Sequence, residues 1–149
     1  MVEWGMPPAA VVLRAAVDGT LEAKVDDRYG RPAMVVRSVS DRRAGALGSA
    51  DGDTIALATR TARQSGLPIV LVLASSGADV HEGVEALVGW GWAAKELVAS
   101  SGVIPILAAL VGPAVSGPAL LLGLADLVVM TSSSYAYVSG PRMVRQMTG

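Results

Sequence analysis

Cysteine is absent from this 149-residue sequence, which excludes disulfides and thiolate metal sites and accords with a reducing, cytoplasmic setting. His81 is the only histidine, too few for a zinc site. Cations are nearly missing from the middle: of the twelve Lys and Arg residues, Lys95 alone stands between Arg63 and Arg142. Such a stretch does not suit a nucleic-acid surface, whereas the basic flanks suit a small molecule that carries phosphate. No basic segment precedes an apolar one at Met1-Val2-Glu3-Trp4, so no signal peptide is expected. Residues 103–125 contain no charge over 23 positions, enough on paper to span a bilayer. Pro105, Gly112, Pro113, Gly117, Pro118 and Gly123 interrupt that run, and it reads as a strand, a turn and a short helix rather than a membrane segment.

What remains is 52% hydrophobic and 17% charged, the balance of one globular domain with a sizeable core. The organising stretch is residues 68–83. Five branched apolar residues, Ile69 to Leu73, follow Pro68 and predict a strand buried on both faces. A turn of small residues (Ala74, Ser75, Ser76, Gly77, Ala78) comes next, and Asp79-Val80-His81-Glu82-Gly83 opens a long helix. Backbone N–H groups in such a turn can face a ligand at close range.

The first 30 residues are weakly patterned, with a short strand at Val11-Val12-Leu13 and a turn at Asp18-Gly19. Residues 33–39 predict a strand, Asp41-Arg42-Arg43 its exit, and Gly45-Ala46-Leu47-Gly48 a flexible loop. A helix runs from about Asp51 to an exit marked by Arg60, Arg63, Gly66 and Pro68. The helix after Glu82 places Val84, Leu87, Val88, Gly91, Ala94 and Val98 at three- and four-residue intervals, which predicts its core face, with Glu85 and Glu96 on the other side. Trp90 and Trp92 lie about 200° apart on it and cannot both face the core. Residues 103–111 predict a second buried strand, 112–117 a second tight turn, and 118–123 a short helix beginning at Pro118. Residues 127–130 and 134–138 are further strands, and Gly140-Pro141 starts a last helix.

Two units of strand, small-residue turn and helix, about 40 residues apart, therefore each present N–H groups at a helix start. If the two strands are neighbours, amides near Ala78 and Gly117 converge on one oxygen, as an oxyanion hole for an enolate or tetrahedral thioester intermediate requires. Such turns also simply connect strands to helices in many α/β domains. His81 reads first as a surface or capping residue, Glu82 as a favourable first-turn charge, and Trp90 as core or subunit contact.

The succession of Ser75-Ser76-Gly77-Ala78-Asp79-Val80-His81-Glu82-Gly83, Gly89-Trp90-Gly91, Ser101-Gly102-Val103-Ile104-Pro105, Gly112-Pro113-Ala114-Val115-Ser116-Gly117, Ser139-Gly140-Pro141 and Met147-Thr148-Gly149 resembles the carboxyltransferase (beta) subunit of biotin-dependent acyl-CoA carboxylases, nearest in look to the propionyl-CoA type. Gly45-Ala46-Leu47-Gly48 matches the upstream glycine loop of that family, so the resemblance covers residues 18–149. It implies an α/β, crotonase-like β-β-α spiral, with residues 1–149 as a single amino-terminal carboxyltransferase domain and a second such domain absent. The implied activity is carboxyl transfer from carboxybiotin to the α-carbon of an acyl-CoA through an enolate. The donors carried over are the N–H of Ala78, or of Gly77 beside it, and that of Gly117. Leu120 stands where the hydratases of the superfamily carry a glutamate, which disfavours hydration.

Ser76, Asp79 and His81 replace the family's glycine, arginine and glutamine around the first turn, and Ser116 replaces a glycine of the second. These four are the expected substrate-binding positions, with Arg42 or Arg43 placed to meet CoA phosphates. Asp79 is expected to repel an anionic acyl group, and Pro118 has no N–H to offer. Neither metal nor directly bound cofactor is expected; the substrate is a CoA thioester, and biotin arrives on a partner carrier protein. Further partners implied are the second carboxyltransferase domain and a homo- or hetero-oligomer, with no nucleic acid and no membrane. The alternatives are decarboxylation of a malonyl-type thioester and a non-catalytic acyl-CoA-binding or assembly role.

Overall fold

Among the described residues, branched apolar runs pair in the middle of one seven-stranded sheet. The structure, a computed structural model, describes residues 12–13, 19–28, 31–39 and 42–149. Strand β1 (Val12–Leu13) lies antiparallel to β2 (Leu21–Arg28), and β2 antiparallel to β3 (Arg31–Ser38). Helix α1 (Ser49–Gln64) then crosses to β4 (Ile69–Ser75), which runs parallel to β3. Helix α2 (Val84–Ser100) crosses to β5 (Ile106–Val115), parallel to β4. The short helix α3 (Gly117–Leu121) precedes β6 (Leu127–Met130) and β7 (Tyr135–Tyr137), and α4 (Pro141–Thr148) follows. β5 is shared along its length: Leu107 to Leu110 pair with β6, and Pro113 to Val115 pair with β7. Val11 and Asp18 lie outside the described residues.

Several expectations are corrected. β2 was not anticipated, although Leu21, Ala23 and Val25 alternate with Glu22, Lys24 and Asp26. β4 is buried on one face: Ile69, Leu71 and Leu73 are inaccessible, while Val70, Val72 and Ala74 are half-buried. Ile69, Leu71 and Leu73 share one core cluster with Ile55 and Ala58 of α1 and with Trp90 and Leu97 of α2. β5 starts later than expected and runs through Gly112-Pro113, so no turn opens at Gly112. The register between β4 and β5 shifts from Leu73–Leu110 to Ser75–Ala114, leaving residues 111–113 opposite Ala74 alone. A proline is tolerated in a strand where the ladder is already interrupted. Helix α2 begins at Val84, after a turn that ends at Gly83 with φ +58°.

The largest correction concerns α2. Its buried residues are Ala86, Gly89, Trp90, Ala93, Glu96, Leu97 and Ser100, whereas Val84, Leu87, Val88 and Val98 are exposed by 70%, 62%, 54% and 58%. Size rather than hydropathy selects this face. A Cβ on Gly52 of α1 would lie 2.2 Å from the carbonyl carbon of Gly89, and a Cβ on Gly89 would lie 2.7 Å from the Cα of Ser49. The two helices meet backbone to backbone, an approach open only to residues without side chains. Glu96, expected in solvent, is buried between two cations of α1: its Oε1 accepts from Arg60 Nη2 at 2.7 Å and its Oε2 from Arg63 Nη2 at 2.9 Å. Hydrogen bonding from Arg60, with Arg63 in support, holds the Glu96 carboxyl below its usual range against the opposing effect of burial. Trp90 packs inward and Trp92 outward, as their spacing requires.

Gly89→Val must force α1 and α2 apart and is expected to lower stability by about 3 kcal/mol. Gly123→Ala, where a Cβ meets nothing within 4 Å, should stay within about 0.5 kcal/mol of the parent. Urea denaturation followed by circular dichroism measures both; equal stabilities would refute the close crossing.

Candidate functional site

The two parallel strands β4 and β5 end side by side, with Ser75 paired to Ala114. Their turns are therefore neighbours, as the oxyanion arrangement demands. A Cβ on Gly77, whose φ is +124°, would lie 3.2 Å from the Val115 carbonyl oxygen and 3.7 Å from the Ser116 Cβ. Glycine is needed there both for the conformation and for the contact between turns.

The first turn is held from outside by residues 43–47. Ser76 N–H donates to Ala44 O at 3.1 Å, Leu47 N–H to Gly77 O at 2.9 Å and Asp79 N–H to Leu47 O at 2.9 Å. This is the pattern of a parallel bridge between Leu47 and Ala78, and it directs the N–H of Ala78 itself away from Leu47. Within the turn, Gly77 N–H donates to Ser75 Oγ at 3.1 Å. Of the two carried-over donors in the first turn, Gly77 is thus engaged by its own turn, and among the described residues Ala78 N–H meets no acceptor. The expectation of a flexible loop at residues 45–48 is corrected: Leu47 is fully buried and backbone bonds fix the segment. Arg43, Ala44 and Gly45 take left-handed φ values of 51°, 55° and 70° in succession, and a Cβ on Gly45 would press to 2.5 Å from Ala74 O.

The second turn consists of Ser116 alone, at φ +62°. Its N–H donates to Tyr137 O at 2.8 Å, and its side chain is exposed. Gly117 is the first residue of α3, where an N–H precedes the intrahelical ladder. A Cβ on Gly117 would meet the Trp90 indole at 2.9 Å, so the ring of Trp90 supports this turn from α2. Pro118 lies within the first turn of α3, where its missing N–H breaks no ladder bond.

Asp79 is buried, and its carboxylate forms an ion pair with the Arg43 guanidinium. The His81 N–H donates to its Oδ1 at 2.9 Å. That backbone bond, and then Arg43, lower the Asp79 carboxyl pKa from its ordinary value, with burial opposing. The charge expected to repel an anionic acyl group is therefore matched by a cation. Nothing in residue types 36 positions apart could have signalled that pairing. His81 is exposed, and Ser76 Oγ donates to Arg43 O at 3.3 Å. Arg42 begins the turn Arg42–Gly45, and its side chain lies outside the described residues.

Two carboxylates were missed as structural parts of the site. Glu82 accepts from Ser49 N–H at 2.7 Å and Ser49 Oγ at 2.8 Å, capping the start of α1 rather than its own helix. Asp51, which is buried, accepts from Thr20 N–H at 2.6 Å, Leu21 N–H at 2.9 Å and Gly48 N–H at 3.0 Å. Only the Asp51-to-Gly48 bond, within one capping box, was legible locally. Arg43, Asp51, Asp79, His81 and Glu82 line a polar cavity of about 330 Å³ beside the first turn. Among the described residues no cluster of His, Cys, Asp and Glu could hold a metal ion, and no helix is long and apolar enough to cross a membrane.

Comparison with known proteins bears on this geometry. The model of the carboxyl transferase domain matches residues 14–149. The chain belongs to the carboxyl transferase family. It is 28% identical over 120 residues to the methylmalonyl-CoA carboxyltransferase 12S subunit of Propionibacterium freudenreichii subsp. shermanii, covering 80% of this chain and 23% of that one. It is 39% identical over 105 residues to the biotin-dependent acetyl-/propionyl-coenzyme A carboxylase beta6 subunit of Mycobacterium tuberculosis, covering 70% and 22%. Among solved structures it superposes on transcarboxylase 12S with a TM-score of 0.86 at 25% identity, covering 97% of this chain and 31% of that chain. A Pseudomonas malonate decarboxylase hetero-dimer gives 0.83 at 21% identity, covering 95% and 64%, which concerns fold alone. The α/β, crotonase-like carboxyltransferase class expected from the resemblance is the one found. The chain spans less than a quarter of the length of these curated carboxyltransferase relatives.

The depressed Asp79 pKa stabilises the fold above the unfolded carboxylate value, and that contribution is lost as pH falls through the folded value. Asp79→Asn should therefore destabilise the protein by a constant margin above about pH 5, and the margin should close in the acid range below about pH 4. Thermal melts of both proteins from pH 7 to pH 3 provide the check; a margin independent of pH would be the contrary result.

Proposed function

We propose that this chain binds an acyl-CoA thioester and serves, in the cytoplasm, as the acyl-CoA half of a carboxyl transfer, with the N–H groups of Ala78 and Gly117 as its oxyanion hole. The observation that carries the reading is the abutment of the two turns, with the Ala78 N–H directed away from the bridge that holds its neighbours. Negative charge grows on the thioester oxygen as the α-carbon loses its proton, and fixed N–H donors stabilise that enolate without reorganisation. Biotin on a partner carrier protein would supply the carboxyl group that the α-carbon takes up, and the ureido nitrogen left free by that carboxyl group would take the proton that the α-carbon gives up. By holding the thioester the donors also hold its carboxyl-accepting α-carbon in position, which would account for catalysis without a strong side-chain acid. Ser76, Ser116, Asp79 and His81 line the approach, and Arg43 or Arg42 meets the CoA phosphates; the half-exposed Arg43 guanidinium supports this part. Residues 1–149 serve as one amino-terminal domain, completed by a second carboxyltransferase domain. Exposed apolar side chains of β6, β7 and α4, such as Leu127, Val129, Tyr135, Tyr137 and Met147, support such a partner.

A second reading is decarboxylation of a malonyl-type thioester through the same enolate, without biotin. Neutralisation of Asp79 by Arg43 favours it, since an anionic acyl group then meets no unpaired carboxylate. Resemblance to the methylmalonyl-CoA decarboxylase subunit alpha of Veillonella parvula, 34% identical over 106 residues, supports it as well.

Calorimetry with propionyl-CoA and with free CoA tests the main reading. The thioester should bind more tightly than CoA, and Ala78→Pro, which removes the donor, should reduce it to the affinity of CoA. Absence of heat at millimolar ligand with the protein folded would overturn both readings. Malonyl-CoA left intact after prolonged incubation would overturn the second.

A further inference from the structure

The two donors of the proposed oxyanion hole are held by different forces. Ala78 is framed by hydrogen bonds: Leu47 N–H and O bind Gly77 O and Asp79 N–H on either side of it, and Ser76 N–H is tied to Ala44 O. Gly117 has no such frame. Ser116 before it donates to Tyr137 O at 2.8 Å, Pro118 after it has no N–H, and among the described residues the Gly117 N–H meets no backbone acceptor.

What Gly117 rests on is a side chain. A Cβ built on it would stand 2.9 Å from both Cδ2 and Cε2 of Trp90 and 3.3 Å from Cε3. The bond shared by the two rings of the indole thus occupies the space that a side chain at residue 117 would take. Trp90 has no room to retreat: it is 7% exposed and sits in one core cluster with Leu97, Leu110, Ala114 and Leu121, and Gly89 beside it is pressed against Ser49 of α1. Hydrogen bonding is not what the indole contributes. Among the described residues its buried N–H meets no acceptor, an arrangement that costs stability. The second turn uses the breadth of the bicyclic ring.

We propose, resting on the oxyanion reading, that Trp90 is the positioning residue of the second donor, its indole setting how far the Gly117 N–H stands from the Ala78 N–H. A glycine cannot fill the space that a smaller side chain at position 90 leaves, so its segment sinks toward α2. The hydrogen bond it offers then lengthens beyond the range in which N–H···O contacts are effective. Ala78, framed by backbone bonds, stays in place. A methyl group at residue 117 clashes with the indole but fills the gap left by a smaller side chain. Trp90→Leu and Gly117→Ala are therefore each harmful alone and compensating together.

Calorimetry with propionyl-CoA and with CoA, joined to amide spectra of the ¹⁵N-labelled protein, provides the test. Trp90→Leu, shown to be folded by circular dichroism, should lower the preference for propionyl-CoA over CoA about fivefold, the worth of one hydrogen bond, with the affinity for CoA itself unchanged. When propionyl-CoA is added to this variant, the Ala78 amide should still move downfield and the Gly117 amide should not; a general loosening of the core would affect both. Gly117→Ala alone should lower the preference to a similar degree, and the two substitutions together should restore most of it. A parent protein that binds the thioester no better than CoA would overturn the oxyanion reading and the role of Trp90 together. A parent with the preference, whose Trp90→Leu variant either keeps it or loses the Ala78 and Gly117 shifts alike, would overturn the role of Trp90 alone. If Trp90→Leu does not fold, Gly117→Ala probes the same contact from its other side, and an unchanged preference there is the contrary result.

Discussion

The parallel bridge between Leu47 and Ala78 is the contact on which the site depends. Leu47 N–H and O bind Gly77 O and Asp79 N–H, one on each side of Ala78, so Ala78 itself is held in place without its N–H being used. Everything around the bridge serves its rigidity. Leu47 is anchored by full burial, Ser76 is tied to Ala44, and Arg43 reaches over to the Asp79 carboxylate. Three left-handed residues before Leu47 bend the chain into position, a conformation that costs energy for Arg43 and Ala44 and persists because these bonds oppose its relaxation.

A second constraint, the backbone contact of Gly52 with Gly89, fixes where α2 lies and through it the second turn. Trp90 follows Gly89 in the sequence, and its ring closes against Gly117. One close helix crossing thus sets the height of the indole that supports the second turn. The buried Glu96, gripped by Arg60 and Arg63, fixes the same pair of helices two turns further on. Packing, and not hydropathy, decides which side of α2 faces in.

That distinction explains what the sequence could reveal. Ile69 to Leu73, the small turn after them, the marked exit of α1 at Gly66 and the β6 span at residues 127–130 were legible because local chemistry specifies them. The adjacency of the two turns was legible as a consequence of pairing between two apolar strands, and the family motifs supplied the order. The orientation of α2 was not, because Ala86, Gly89 and Ala93 carry little hydrophobic weight yet allow the closest contact. Glu96 looked like a solvent residue because its cations lie 36 and 33 positions earlier. Asp79 looked like a repelling charge for the same reason, its partner being 36 residues away. The alternation of β2 stood in the sequence, but the strand is short of large side chains, with Ala23 between Leu21 and Val25 on its inward face. Distant pairing of charges and the fit of small residues are properties of the folded chain that no local window contains.

In the proposed function the Ala78 amide is a donor reserved for a thioester oxygen. The most direct measurement is the proton chemical shift of that amide in the ¹⁵N-labelled protein, titrated with propionyl-CoA and separately with CoA. The Ala78 resonance, together with that of Gly117, is expected to move downfield with the thioester and to stay in place with CoA. An Ala78 resonance unmoved at saturation with propionyl-CoA, while other resonances report binding, would contradict it.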